Sequence, residues 1–386
     1  MEPPSFRLNL SMQIGVDAQP LLEQSAGVTY YTRGILGEVL KQDRKNYYDL
    51  FLFRLFPKVP IYPFGKGPNF SYRYQRFFPF KAFYKLYKWG MPLPLELFFG
   101  PHDLYFFPSF VAYPHRGGKS VVVVHDLSFE KVPQYVQDRN VDFLKKFVPL
   151  SVQRADHVIA ISQFTKKDLI ETYGVPEGRI AVVYPAVDHN DFYPRSGKEI
   201  SAIKKKYGLK KPFLLYLGTL EPRKNIPAIL KAYAALKKRK DLNLVLAGKT
   251  GWFCEEIFET IRELNLGEDV VLTGYVPQED RPLLLSAAEV FFFPSFFEGF
   301  GMPVLEAQAC GIPVITSNVT SLPESAGDAA VLVDPRNTDA IGSALEGVLS
   351  SSHLREELKR KGIAHAKHFN WSESARKLIK VFNELS

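Results

Sequence analysis

Two glutamates, Glu298 and Glu306, lie in the stretch of this 386-residue chain that carries the clearest chemical pattern. They belong to residues 294–307, PSFFEGFGMPVLEA, which follow a hydrophobic run predicted to be a strand over 290–293. Carboxylates accept hydrogen bonds from the paired hydroxyls of a sugar or a ribose. The same acids would also stabilise a helix N terminus, where negative charge is favourable, and the spacing alone supports both interpretations equally.

The turn between the two glutamates has the composition of a phosphate site. Gly299 and Gly301 allow the backbone to approach a ligand closely because neither residue has a Cβ atom. Pro303 is predicted at the first position of a helix, which proline favours. A helix that begins there directs its free N–H groups and the positive end of its dipole at the strand end, which suits an anion.

Two further strand ends carry polar side chains. In residues 218–225, GTLEPRKN, the adjacent cations Arg223 and Lys224 lie between a predicted strand and a predicted helix. Such a pair can hold a diphosphate and neutralise charge on a leaving group, although a solvated turn is the simpler alternative. His125 ends the very apolar run SVVVVH at 120–125, where a histidine is more often structural than catalytic.

The segments that would position these residues alternate between strand-like and helix-like patterns. Apolar runs predict strands over 120–125, 157–162, 180–184, 213–218, 243–248, 270–273, 290–294 and 312–316. Because helical segments separate them, the sequence predicts an α/β protein with parallel sheets that are covered on both faces. Ligands bind to such sheets at the carboxyl ends of the strands.

The length suits two domains of the usual ~100–200 residues each. A polar, lysine-rich stretch at 194–212 separates two series of strands, so we predict an N-terminal domain over 1–193 and a C-terminal domain over 194–370. Cys254 and Cys310 have neither metal-ligand nor disulfide-framework spacing, which suits a reducing cytosol. No apolar run approaches the roughly 18–20 residues that span a bilayer.

Residues 54–89 have a distinct composition. They contain eight Lys or Arg, thirteen aromatic residues and no Asp or Glu, whereas the whole chain has a net charge of only +8. Cations beside aromatic rings are typical of peripheral contact with an anionic membrane. A basic insertion whose rings belong to the core is the alternative. Nucleic-acid stacking uses the same residue types, but nothing else in the chain supports it, so we predict no nucleic-acid partner.

Together these stretches resemble family 4 of the retaining glycosyltransferases, which have the GT-B fold of two Rossmann-like domains facing across a cleft. The resemblance covers nearly the whole chain. The family's Glu-x7-Glu motif is Glu298 to Glu306, its diphosphate turn is GTLEPRKN, and VVYPAVDHNDF at 182–192 matches the segment before the interdomain linker. The opening, IGVDAQPLLEQSAGVTYYTRGIL, is similar to the first strand and glycine loop. The similarity is closest to bacterial mannosyltransferases of O-antigen and cell-surface polysaccharide synthesis.

The resemblance implies roles for individual residues. Glu298 would hold hydroxyls of the donor sugar, Glu306 would hold the ribose, and His125 would lie beside the transferred sugar. Arg223 and Lys224 would bind the diphosphate, which completes the expected catalytic set. The other residues expected at the donor are Gly27, Thr219, Tyr275 and Val276 against the base, Gly299, Leu305, and the backbone from Phe300 through Gly301 and Met302 to Pro303.

The sequence departs from the family pattern in two places. Many members have an arginine directly after the strand-end glycine, where this chain has Thr219, so Arg223 would be the only arginine on the phosphates. The usual Asn-Gly is replaced by Pro185-Ala186, which puts a backbone contact there in doubt. The final helix, within 371–386, resembles the family's closing helix, which crosses back to complete the first domain.

The resemblance implies a retaining glycosyltransferase that needs no cofactor and moves a sugar to a lipid-linked glycan. The expected donor is GDP-mannose and the expected sugar is mannose. It would act in the cytoplasm, on the inner face of the plasma membrane. No Asp-x-Asp occurs in the chain, a pattern with which metal-dependent transferases commonly hold a cation, so we expect no metal ion. A UDP-sugar donor, a sugar-nucleotide epimerase of related architecture and a non-catalytic sensor are the alternatives.

Overall fold

The computed structural model describes residues 12–22, 27–54, 63–237 and 239–386, with their side chains except at positions 138 and 139. The chain divides into two compact units. The first takes the described part of Met1–Glu130 together with Asp138–Pro185 and Trp371–Ser386. The second takes Lys131–Gln137 and Ala186–Asn370, of which position 238 is outside the described residues.

Seven strands form the sheet of the first unit: β1 (Gln13–Asp17), β2 (Tyr47–Phe53), β3 (Phe70–Gln75), β4 (Leu104–Phe107), β5 (Lys119–Val124), β6 (His157–Ala160) and β7 (Ile180–Val182). Their order is β3-β2-β1-β4-β5-β6-β7, and the pairings are parallel. Chain order reverses between β1 and β4, so the carboxyl ends of these two strands open a crevice.

In the described part of the first unit, the helices that lie between these strands in sequence are α1 (Gly27–Gln42), α2 (Phe80–Lys88), α3 (Glu96–Phe99), α4 (Ser128–Lys131), α5 (Asp138–Arg154) and α6 (Gln163–Tyr173). Helix α6 shows how local sequence sets an element's limits. The Ser162 hydroxyl accepts a hydrogen bond from the Thr165 amide at 3.0 Å, and Gly174 ends the helix in the left-handed region at φ +63°.

The second unit has a six-stranded parallel sheet: β8 (Phe213–Leu217), β9 (Asn243–Ala247), β10 (Val270–Gly274), β11 (Val290–Phe293), β12 (Val314–Ser317) and β13 (Val331–Val333). Their order is β10-β9-β8-β11-β12-β13. Strands β8 and β11, which lie far apart in sequence, are neighbours at the point where chain order reverses. A ligand crevice is expected at their carboxyl ends.

Helices flank this sheet, and its four central strands, β9, β8, β11 and β12, are apolar and buried along nearly their whole length. The helices are α7 (Lys198–Lys206), α8 (Ile226–Ala234), α9 (Glu255–Glu263), α10 (Arg281–Ala287), α11 (Met302–Ala309), α12 (Leu322–Ala326), α13 (Thr338–Ser350) and α14 (Ser352–Ala366). The predicted fold class, α/β with two parallel sheets, is therefore confirmed.

The last helix, α15 (Trp371–Glu384), packs on α1 in the first unit. The ring of Trp371 lies 5.9 Å from that of Tyr31, and the Gln42 side-chain amide donates to the Ser372 hydroxyl at 3.1 Å. Gly34 faces the indole so closely that any Cβ there would lie 2.3 Å from Trp371 Cε2. A glycine on α1 thus leaves the space that the Trp371 ring occupies.

The units divide between Pro185 and Ala186, eight residues before the boundary predicted between 193 and 194. The Ser374 hydroxyl donates to the Tyr184 carbonyl at 2.7 Å, which holds the chain in the first unit up to that point. Beyond it, the Val187 amide donates to the Phe369 carbonyl at 3.3 Å, inside the second unit. The polar stretch at 194–212 follows the crossing and does not mark it.

Residues Lys131–Gln137 belong to the second unit, although they fall inside the predicted first domain. The Tyr135 ring lies nearly parallel to that of Phe296, with centroids 5.6 Å apart. The Trp252 indole N–H donates to the Tyr135 carbonyl at 2.9 Å. No periodicity in the sequence predicts this arrangement, because it depends on contacts between distant segments.

The aromatic residues of 54–89 are used largely in packing. Phe83 and Tyr87 on α2 are buried, and Phe83 stacks on Phe53 of β2 with centroids 4.8 Å apart. Exposed rings flank this helix, Phe77 at 82% and Trp89 at 68%. Positions 55–62, with two of the thirteen aromatic residues, lie outside the described residues. Throughout the described ranges, no helix combines the length and apolarity needed to cross a bilayer.

Substitution of Gly34 tests the packing of α15 on α1. Gly34→Ala should lower the free energy of unfolding by about 1–3 kcal/mol, because the methyl group must displace the indole. Gly37→Ala is the matched control on the same helix, since its methyl group would lie 3.6 Å from Phe64 Cε1, an ordinary contact. Alanine's higher helix propensity should leave that variant as stable as wild type or more stable. Equal urea midpoints for the two variants would contradict this packing.

Candidate functional site

The turn after β11 leads into α11 through Gly301, whose φ of +97° places it in the left-handed region. A Cβ atom there would lie 2.7 Å from Leu322 Cδ2, so the position has neither the conformation nor the space for a larger residue. Helix α11 begins at Met302, which makes Pro303 its second residue and not its first as predicted. Pro303 has no N–H group, so backbone donors at this helix start come from the residues before it.

Side chains from the end of β12 and from the segment after it fix the backbone of this turn. The Ser321 hydroxyl donates to the Glu298 carbonyl at 2.7 Å, and the Glu298 amide donates to the Thr320 hydroxyl at 3.3 Å. The Ser317 hydroxyl donates to the Ser295 carbonyl at 2.6 Å. These hydrogen bonds fix the Glu298 backbone independently of the contacts of its carboxylate.

The carboxylate of Glu298 meets both cations of the 218–225 turn. Lys224 Nζ lies 2.5 Å from Glu298 Oε1, and Arg223 Nη1 lies 3.2 Å from Oε2. Arg223 Nη1 also donates to the Phe297 carbonyl at 2.8 Å, and the Lys224 ammonium lies 5.1 Å from the Phe293 ring centroid. The structure thus brings together three of the predicted catalytic residues at the neighbouring ends of β8 and β11.

A second acid that was not predicted completes this cluster. Glu221 is almost fully buried, and its Oε1 accepts from Arg223 Nη2 at 2.7 Å and from Nε at 3.2 Å. Two carboxylates therefore face two cations. The signal available in the sequence was an acid two residues before Arg223 within the same turn.

The charges in this cluster determine the ionisation of Glu298. Burial opposes ionisation, but the charges of Lys224 and Arg223 outweigh it and hold the pKa of Glu298 below its ordinary value. The carboxylate is therefore an anion at neutral pH. An anionic carboxylate is a stronger acceptor for hydroxyl groups than a neutral one.

Glu306 has a different partner, Arg281, which was also not predicted. Arg281 Nη2 donates to Glu306 Oε2, and both side chains are nearly buried. Burial raises the pKa of Glu306, and the Arg281 charge offsets only part of that rise. The sequence signal was weak: an arginine before a proline at the start of a short helix, in QEDRP.

The remaining residues predicted at the donor in the second unit either follow the carboxyl ends of its strands or are buried in its core. Thr219 follows β8, and its carbonyl accepts from the Tyr216 hydroxyl at 2.8 Å. Tyr275 follows β10 and is 54% exposed, while Val276 is buried. The side chains of Phe300 and Leu305 belong to the core, with Phe300 5.6 Å from the Phe369 ring. Neither of these two side chains is exposed at the strand ends.

His125 and Gly27 lie in the first unit. His125 follows β5 and is buried between Tyr31 and Phe110, with ring centroids 5.1 and 5.2 Å away. Its Nε2 lies 2.8 Å from the Pro108 carbonyl, which can only accept, so Nε2 carries the proton. Burial lowers the pKa of His125, which favours the neutral imidazole. Gly27 is the first residue of α1, beyond the carboxyl end of β1.

Removal of the Lys224 charge tests the electrostatics of the cluster. Lys224→Met should lower the free energy of unfolding by about 3 kcal/mol at pH 7, because a buried carboxylate loses a partner. The folded-state pKa of Glu298 is depressed, so its stabilising contribution exists above the unfolded-state pKa and is lost as pH falls. The difference from wild type should therefore shrink towards pH 4. Lys231→Met, at an exposed position on α8, is the control. A difference that does not change with pH would contradict this account of Glu298.

Both halves of the chain match known protein families. Residues 199–365 match Glycosyl transferases group 1, and residues 28–191 match Glycosyltransferase Family 4. O-antigen chain mannosyltransferase B of Escherichia coli is 36% identical over 285 residues, which is 73% of this chain and 74% of that protein. Serotype-specific mannosyltransferase WbdA of Escherichia coli is 32% identical over 273 residues, which is 69% of this chain but 34% of that larger protein.

Solved structures share the fold over nearly the whole chain at low sequence identity. Sucrose-phosphate synthase from Thermosynechococcus elongatus has a TM-score of 0.72 and 22% identity, covering 97% of this chain and 98% of that one. The glycosyltransferase WaaG has a TM-score of 0.70 and 17% identity, covering 96% and 99%. With the family matches and the curated relatives, these structures establish that the chain belongs to glycosyltransferase family 4 and is a glycosyltransferase with the GT-B fold.

Proposed function

We propose that the protein is a retaining, metal-independent mannosyltransferase that moves mannose from GDP-mannose to a lipid-linked oligosaccharide or polysaccharide. The buried cluster of Arg223, Lys224 and Glu298 at the crevice between β8 and β11 carries the proposal. Two relatives that are named mannosyltransferases support the sugar. A third, 29% identical over 280 residues, is a Campylobacter jejuni N-acetylgalactosaminyltransferase whose named acceptor is a diphospho-undecaprenol, which supports a lipid-linked acceptor.

In this proposal the diphosphate binds between the two cations and the start of α11. Arg223 and Lys224 take phosphate oxygens as additional partners and neutralise the charge that develops on the leaving group. The N–H groups before Pro303, together with the dipole of α11, add to this stabilisation. Three sources of positive potential converge on one anion, so the diphosphate requires no metal ion.

The other predicted residues have roles around this anion. Glu298 orients hydroxyls of the sugar, Glu306 holds the ribose, and Tyr275 with Val276 lies against the base. In the first unit, the neutral imidazole of His125 lies beside the transferred sugar, and Gly27 lies at the donor. Because His125 Nε2 already donates to Pro108, its other ring nitrogen, Nδ1, is an acceptor for a hydroxyl group.

Retention of configuration follows in this proposal from attack on the face that the leaving group vacates. The transition state resembles an oxocarbenium ion, and a phosphate oxygen of the departing nucleotide takes the proton of the acceptor hydroxyl. Positive charge on Arg223 and Lys224 stabilises the developing phosphate anion more than the ground state, which is what lowers the barrier. An epimerase would use the same donor without an acceptor.

Transfer assays distinguish the donor and the reaction class. With GDP-mannose and a polyprenyl-diphosphate-linked glycan, we expect transfer that is retained in excess EDTA and exceeds transfer from UDP-glucose or UDP-N-acetylglucosamine. Transfer from UDP-sugars alone would contradict the donor. Loss of activity in EDTA with recovery on Mg²⁺ would contradict the metal-independent diphosphate site. Isomerised donor without any acceptor would identify an epimerase instead.

We further propose that the first unit contacts an anionic membrane through a basic surface formed by Lys81, Lys85, Lys88, Lys145 and Lys146. The three lysines of α2 are exposed opposite its buried rings, and the two of α5 are exposed beside them. The Lys146 ammonium donates to the Lys88 carbonyl at 3.3 Å, which joins the two helices. Because most rings of α2 face the core, the contact is mainly electrostatic, with Trp89 at its margin.

Vesicle binding tests this surface. Replacement of Lys81, Lys85 and Lys88 by glutamine should weaken binding to phosphatidylglycerol vesicles about 100-fold at low salt, since each cation contributes about 1 kcal/mol. The wild-type affinity should fall as salt rises. The matched control changes three exposed lysines of the second unit, Lys198, Lys205 and Lys210, to glutamine. Equal loss in both triple variants, or none in either, would contradict a specific membrane surface on the first unit.

A further inference from the structure

Arg281 is a nearly buried cation beside Glu306 that the proposed mechanism does not use. It is the first residue of α10, and its guanidinium donates to the carboxylate of Glu306 on α11. Only 12% of the Arg281 side chain and 11% of the Glu306 side chain is exposed. The attraction between two nearly buried charges offsets their desolvation only when their mutual geometry is good, so this contact depends on how α10 and α11 are placed.

The neighbouring residues fix the position of Arg281. The carboxylate of Asp280, also buried, accepts from Lys206 Nζ and from the Tyr207 hydroxyl, both at 2.6 Å. These bonds tie the start of α10 to α7. Pro282 restricts the backbone on the other side. Arg281 therefore projects from a rigid point of the chain.

We propose that Arg281 is a positioning residue whose contact with the Glu306 carboxylate orients it, and supplies the positive charge beside it, for acceptance of the ribose hydroxyls of a nucleoside diphosphate. This inference rests on the proposed role of Glu306 at the ribose. It adds a residue that determines how strongly the enzyme depends on those hydroxyls. The predicted motif contains only the two glutamates and does not specify what holds either of them.

The physical reason is the cost of a buried charge. Burial raises the pKa of Glu306 even with Arg281 in place, and the guanidinium is the charge that opposes this rise. Without the guanidinium, the neutral acid is favoured further. A neutral carboxyl group accepts hydrogen bonds from hydroxyls more weakly. Its orientation is also no longer set by a guanidinium, which can donate two hydrogen bonds to one carboxylate. The ribose is remote from the anomeric carbon, so this loss affects binding of the donor and the transition state equally.

Binding of paired nucleotides tests the proposal. We expect wild type to bind GDP about 10- to 100-fold more tightly than 2′,3′-dideoxy-GDP, the range for hydrogen bonds to a charged group. Arg281→Leu should bind both nucleotides with affinities within about 3-fold of each other. Arg281→Lys, which keeps the charge, should recover part of the discrimination and shows that a folded site responds to charge. Arg262→Leu, at an exposed position on α9, is the control and should discriminate as wild type does.

Kinetics supply the second measurement. Arg281→Leu should raise the donor KM about as much as it weakens GDP binding, with kcat unchanged within about 3-fold. Wild-type discrimination retained in Arg281→Leu, tighter GDP binding by that variant, or wild type without any preference for the ribose hydroxyls would each overturn the proposal. UDP and 2′,3′-dideoxy-UDP are measured in parallel. Binding of UDP but not GDP would contradict the proposed donor, while the Arg281 comparison is then made with the uridine pair.

Discussion

A carboxylate that is almost completely buried remains ionised only beside fixed positive charge, and the site of this enzyme is organised around one such carboxylate. Glu298 has Lys224 and Arg223 as partners, and these residues lie on turns that are more than 70 residues apart in sequence. The contact requires β8 and β11 to be neighbours, which in turn requires the reversal of strand order in the second sheet. The topology of the unit and the ionisation of one side chain are therefore linked.

Hydrogen bonds between uncharged groups keep the two turns together independently of the charges. The Phe296 amide donates to the Arg223 carbonyl at 2.9 Å. The Asn225 side-chain amide donates to the Pro294 carbonyl at 3.1 Å and to the Pro335 carbonyl at 2.7 Å. Buried ion pairs add little net stability because of their desolvation cost. The cluster is thus held by its scaffold, and Glu221 keeps the Arg223 guanidinium oriented through two hydrogen bonds.

Local patterns in the sequence were sufficient for much of this structure. Apolar runs separated by helical segments predicted two parallel sheets, and the strand after which Glu298 lies ends within one residue of its predicted limit. The partners Glu221 and Arg281 could not be found in the same way, because their importance depends on which strand ends become neighbours. The unit boundary was displaced for a similar reason: a polar stretch reports exposure, whereas the crossing at Pro185 is decided by long-range hydrogen bonds.

Within residues 54–89, the order of the residues carries information that their composition does not. Phe80, Phe83, Tyr84 and Tyr87 recur at helical spacing, while Lys81, Lys85 and Lys88 fall on the opposite side. This periodicity predicts an amphipathic helix with its rings against a core. A count of cations and rings favours membrane insertion instead. The arrangement of residues around the helix, and not their number, decides which surface faces solvent.

The packing of α15 on α1 also has a consequence for biosynthesis. The chain emerges from the ribosome in order, so α1 exists long before Trp371, whose ring fills the space beside Gly34. The whole of Ala186–Asn370 is translated in the interval. During this time the face of α1 that later receives α15 lacks its partner, and the second unit has all its strands. The first unit to begin translation is consequently the last to complete its core, and nascent chains that stall before Trp371 present an incomplete first unit to chaperones and proteases.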